Sequence, residues 1–206
     1  MATLSITPSV GYAKDQLISL SQYPGLRVPP GIKPREPDPV SFARMSQLAP
    51  NKFPAPAGLT VPTDMSVKLK GVWAPVGKDP VQWQFQNGEL QLSVTIAVYI
   101  IENYRPIPKL FELIMSHELL HVQDEIDVAT DFLPKELPKD EWVKKFLIDQ
   151  SKVDDTAYRN WFTTDKFENY VRDTWILERN ERGKGRDSGP GYERYKLDVA
   201  KLLPKI

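Results

Sequence analysis

Both histidines of the 206-residue chain fall in one stretch, LIMSHELLHVQDEID, residues 113–127. They stand four apart, as His117 and His121, with Glu118 directly after the first. On an α-helix, residues i and i+4 lie one above the other on a single face. Two imidazoles held in that way can both reach one Zn2+ at about 2.0–2.1 Å. Glu118 points to the side of that face, where it can take a proton from a metal-activated water. The spacing therefore predicts Zn2+ as cofactor, His117 and His121 as ligands and Glu118 as general base. The competing reading is a surface helix with two solvated histidines.

The elements around this stretch must present it. Apolar periodicity predicts a helix over residues 109–132, with Leu110, Leu113, Ile114, His117, Leu120, His121 and Val128 on its buried stripe. A lone histidine on such a stripe is usually a satisfied core residue; two at this spacing, balanced only by carboxylates, argue for a ligand pair. Upstream, residues 65–73 and 81–86 alternate as strands do. Asn87-Gly88 predicts a tight hairpin, because both turn positions need positive φ. Leu90, Leu92, Val94, Ile96, Val98 and Ile100 then line one face of a strand over residues 89–101. The expected class is α+β: a small antiparallel sheet followed by a helical half that carries the HExxH helix. Downstream, short helices are expected in residues 133–149 and in DDTAYRNWF. A longer one follows in TTDKFENYVRDTWILERNERGKG, with Asp165 and Glu168 as its N-terminal cap and Gly183 and Gly185 as its end. A glycine-rich loop and a short amphipathic helix close the chain.

Thirteen of the nineteen prolines precede Gln86, and six of them fall in residues 23–42. Proline fixes φ and removes a donor, so this region should be extended and irregular. Residues 1–62 are expected as a proline-rich N-terminal arm and residues 63–206 as the catalytic domain. The arm would be a flexible linker, a segment packed along the domain, or a docking site for an inhibitor or delivery protein. Lys plus Arg equals Asp plus Glu at 27 each, which gives no reason to expect nucleic acid or an anionic membrane. Cysteine is absent, so neither a disulfide framework nor a thiolate ligand is available. No secretory signal and no membrane-length apolar run are expected.

A long strand, a short loop and then a helix carrying His117-Glu118-Leu119-Leu120-His121 resembles the zincin superfamily of zinc metallopeptidases, over about residues 89–132. The resemblance implies hydrolysis of protein or peptide substrates, with part of residues 89–101 pairing with the substrate backbone. It also departs from the superfamily. No third histidine exists: Asp124 and Asp127 stand at the glycine and third-ligand positions of the longer metzincin pattern, and no thermolysin-like NExxSD motif follows. Catalytic zinc usually takes three protein ligands, so the third should be a carboxylate. Glu178 is the first candidate, because it falls within the stripe Phe167, Tyr170, Val171, Thr174, Leu177. Its alternative is a salt bridge to Arg172, Arg179 or Arg182. Asp127 and Glu181 are the other candidates. Asp124 and Glu125 would orient His121 or form part of a solvated face. With no histidine left for the oxyanion, Tyr192 and Tyr195 are the candidate donors. The expected setting is cytoplasmic, or that of a toxin-like effector exported by a specialised secretion system without a classical signal peptide. Two rival readings stay open: a catalytically degenerate zincin used for binding, and a zinc hydrolase of a non-peptide amide.

Overall fold

The computed structural model describes residues 3–51, 56–76, 82–148, 153–154 and 166–203. The described strands are β1 (Thr3–Tyr12), β2 (Asp38–Val40), β3 (Gly58–Val76), β4 (Gln82–Ile101) and β5 (Val153–Asp154). The described α-helices are α1 (Phe42–Leu48), α2 (Pro108–Asp127), α3 (Leu133–Glu136), α4 (Glu141–Ile148), α5 (Lys166–Arg186) and α6 (Gly189–Leu202). The fold is α+β, as the sequence pattern leads one to expect.

The sheet is built around β4, with which each of the other four strands pairs. β5 runs antiparallel to it, with Gln82 opposite Asp154. β2 runs parallel to it, with Asp38 opposite Tyr99 and Val40 opposite Ile101. The sheet is therefore mixed and not the purely antiparallel one expected. Parallel pairing requires a long crossover between the strands, and the chain between β2 and β4, which includes α1 and β3, supplies it. β4 is also central: each of the other described strands pairs with it, so it does not stand as an edge.

No hairpin forms at Asn87-Gly88; β4 passes straight through it. The glycine serves a different need. A Cβ on Gly88 would meet Lys70 O and the Phe85 ring at 2.8 Å, and one on Gly71 would meet Trp73 Nε1 at 2.7 Å. Both glycines make room for the Phe85 ring, which packs edge-on to Trp73 at 5.1 Å. An aromatic ring lying over backbone glycines keeps a long strand paired where a side chain would clash.

The chain divides into two compact units, through which the long strands and α5 run. The first comprises Met1–Val10, Met65–Val94 and Asp127–Glu178. Leu90, Leu92 and Val94 of β4 are buried there, with Phe167, Val171 and Trp175 of α5. The buried stripe of α5 is thus Phe167, Val171 and Trp175, and Leu177, expected on it, is exposed. The Glu168 carboxylate accepts the backbone N–H of Leu69 at 3.0 Å. The expected cap Asp165 and the expected helix in DDTAYRNWF lie outside the described residues.

The second unit comprises Gly11–Asp64, Thr95–Ile126 and Arg179–Ile206. It holds most of the proline-rich segment together with α2 and α6. Ser41 caps α1 by accepting the Arg44 N–H at 3.2 Å, and Met45 of that helix is fully buried. Residues 13–37 have little regular structure. Their ends are drawn together where Ile18 N–H donates to Pro34 O and Glu36 N–H donates to Gln16 O. Tyr23 lies against Phe111 of α2 at 4.4 Å between ring centroids.

Candidate metal centre

α2 carries two faces. Leu110, Phe111, Ile114, Met115, Glu118, Leu119 and Val122 are buried, whereas Leu113, His117, Leu120 and His121 are only half-buried. The core face is rotated by about one residue, ~100°, from the expected stripe. This rotation brings Glu118 into the interior, leaves His121 half-buried and puts His117 at the wall of a cleft.

His117 Nε2 and His121 Nε2 are 3.3 Å apart, and Asp187 Oδ1 lies 3.1 Å from the first and 3.2 Å from the second. His117, His121 and Asp187 form the one group of three or more His, Cys, Asp or Glu side chains, among the described residues, that could hold a metal ion. Zinc bonds of about 2.0–2.1 Å in a tetrahedron put neighbouring donor atoms ~3.3–3.4 Å apart. The observed triangle fits that requirement nearly edge for edge. Burial opposes a charge on His121, but its hydrogen bond to Asp187 and the charges of Glu118, Asp187 and Asp124 prevail and raise its pKa.

Asp187 replaces Glu178 as the carboxylate of the group. The sequence pattern ends α5 at Gly183 and Gly185; the helix in fact continues through both to Arg186. Asp187 then occupies the turn before α6, with its N–H donated to Gly183 O at 2.9 Å. Gly189 follows at a φ of 77°, a left-handed value that glycine adopts without strain, and α6 begins there. Glu178 lies nine residues earlier, half-buried in the first unit. Asp127 is likewise outside the group. α2 does not break at Asp124, so Asp127 projects ~240° around the helix from His121. Glu181 is exposed and paired with Lys184 at 2.5 Å.

Two carboxylates after the motif tie α2 to the end of α5. Asp124 accepts from Arg186 Nε at 3.1 Å and from Nη2 at 3.0 Å, a bidentate pair that fixes the residue before Asp187. Glu125, which is buried, lies 3.4 Å from Arg179 Nε. Asp124 and Glu125 thus hold the helix that delivers Asp187, and neither forms a solvated face.

Glu118 is 3 % exposed. Thr60 Oγ1 donates to its Oε2 at 2.8 Å. Gly58, the first residue of β3, admits it: a Cβ there would sit 2.8 Å from Glu118 Oε1 and 2.7 Å from Ile114 Cγ2. Burial lifts the Glu118 pKa, against the opposing pull of His121, His117 and the Thr60 hydroxyl. Tyr195 stacks on His117 at 4.3 Å and 19°, and Tyr192 lies 5.6 Å from the same ring. Burial above all pushes the Tyr195 pKa far upward, so its phenol stays protonated as a donor. Beside the centre opens a cleft of about 1180 Å³, walled by Leu113, Ser116, His117 and Leu120 of α2 and by Tyr192 and Tyr195 of α6.

Asp187, Gly58 and Thr60 are absent from the sequence-based site. One signal for Asp187 is present: it is the lone acidic residue of the glycine-rich run GKGRDSGPG between two helices. No family model, no curated protein and no solved structure matches this chain.

Proposed function

We propose that His117, His121 and Asp187 hold zinc and that the chain is a zinc-dependent endopeptidase. The observation that carries this reading is the near-equilateral triangle of His117 Nε2, His121 Nε2 and Asp187 Oδ1, with edges of 3.1–3.3 Å, whose His117 lines an open cleft. When bound, zinc supplies Lewis-acid polarisation of a carbonyl and makes water more acidic. Glu118, next to His117 and held by Thr60, takes the proton from the attacking water and returns it to the leaving amine. Tyr192 and Tyr195 supply donors on the cleft side of His117 for the negative charge that develops on the carbonyl oxygen. The resemblance to zincins rests on His117, Glu118 and His121; the carboxylate from a turn after a separate helix is this chain's own variation.

One observation favours a second reading, a metal-dependent binding module: the Glu118 carboxyl is buried and engaged by Thr60. Cleavage distinguishes the two. The zinc-loaded chain, incubated with a denatured-protein mixture, is expected to release new peptides by mass spectrometry, and a chelator should abolish them. Metal uptake without any chelator-sensitive cut would favour the binding module.

A further inference from the structure

The cleft is larger than the roughly 300–1,000 Å³ of a typical small-molecule site, at about 1180 Å³. Its lining is also unevenly charged. Arg27, Lys109, Arg186 and Arg194 face it, against Glu112 and Asp198. Several of these charges are already engaged. Glu112 Oε1 accepts the Gly25 N–H at 2.9 Å, which fixes that carboxylate's direction but leaves its charge in the lining. Asp198 holds Lys201 at 2.8 Å and Arg194 at 3.8 Å, and Arg186 is taken by Asp124. Among the described residues, Arg27 and Lys109 make no ion pair, and both are exposed.

Their positions relative to the centre are set by backbone geometry. The Arg27 N–H donates to Ser116 Oγ at 2.9 Å, and Ser116 in turn donates to Glu112 O at 2.5 Å. Arg27 is thereby anchored beside the residue that precedes His117. Lys109 lies in the first turn of α2, seven residues before Ser116, or ~10 Å along the axis at 1.5 Å per residue. An extended peptide advances ~3.4 Å per residue. Allowing for the reach of both side chains, the two cations suit carboxylates about two to four residues apart.

We propose that the cleft selects acidic peptides, with Arg27 taking a carboxylate beside the metal centre and Lys109 taking a second one further along. This rests on the peptidase reading of the same site. The test is fluorescence anisotropy of the zinc-loaded chain with two labelled ten-residue peptides, one carrying two Asp residues three apart and the other Asn in their place. The Asp peptide is expected to bind about tenfold tighter, the scale of two exposed ion pairs. The gap should close at 0.5 M salt and vanish in Arg27→Gln/Lys109→Gln. Both side chains are exposed and Arg27 is anchored through its backbone, so the double variant keeps the fold. Equal binding of the two peptides, or an undiminished gap in the double variant, would overturn the inference. The cleavage assay fails separately: an acidic preference in binding without any chelator-sensitive cut refutes the peptidase and leaves the selection intact.

Discussion

Glu118→Gln is expected to retain the metal and lose hydrolysis by about 10²–10⁴-fold, the usual contribution of a general base. Gln matches Glu in shape, which matters here because Gly58 and Ile114 close tightly around the side chain. Glu118 is not in the group that could hold a metal, so zinc stoichiometry should be unchanged. The measurement is kcat/KM on any peptide that the wild type cuts, with metal content determined on the same preparation. Activity within tenfold of wild type would remove Glu118 from the mechanism. Loss of metal together with activity would make Glu118 a support of the ligand helix and not a base.

The second large effect belongs to the Asp124–Arg186 pair. Arg186→Ala leaves a carboxylate stranded whose side chain is 6 % exposed, and such a loss typically costs ~3–5 kcal/mol. Asp124→Ala leaves instead a guanidinium that is 39 % exposed and can turn to water, so it should cost only ~1–2 kcal/mol. Either change frees the turn that bears Asp187, and metal affinity should fall ~10–100-fold in both. Thermal unfolding and chelator competition together read these effects. If Asp124→Ala is the more destabilising, or if neither variant weakens metal retention, the pair does not position Asp187.

What the sequence made legible follows from what is local. His117, Glu118 and His121 share one helix, so helix geometry alone relates them. The strand alternation at Leu90, Leu92, Val94 and Ile96 has the same character, and those residues are buried. What failed depends on partners distant in sequence. Asn87-Gly88 carries a hairpin signal, yet the requirement met by Gly88 comes from the Phe85 ring and Lys70 on the paired strand. β2 is three residues long and becomes a strand only by pairing with residues 99–101. The sequence points to a third carboxylate on a helical stripe, where a buried charge is conspicuous. It stands instead in a turn, after two glycines that did not end the helix. Glycine lowers helix stability by about 1 kcal/mol relative to alanine, a cost that tertiary fixation by Asp124 and Glu125 outweighs. Among the readings of the proline-rich arm, a packed segment agrees with the burial of Met45 and with the N–H groups of Gly25 and Arg27 bonded to Glu112 and Ser116. Those anchors depend on α2, about ninety residues away.

The proposed hydrolysis requires zinc held by His117, His121 and Asp187 together. Zinc content after dialysis against a weak chelator tests it most directly, measured in parallel on the wild type, Asp187→Ala, Glu178→Ala and Asp127→Ala. The wild type, Glu178→Ala and Asp127→Ala are expected to keep about one zinc per chain, and Asp187→Ala to lose it, because two imidazoles alone fall short of the three protein ligands of a catalytic site. A wild type that retains no zinc, or an Asp187→Ala variant that keeps it while Glu178→Ala does not, would contradict the assignment.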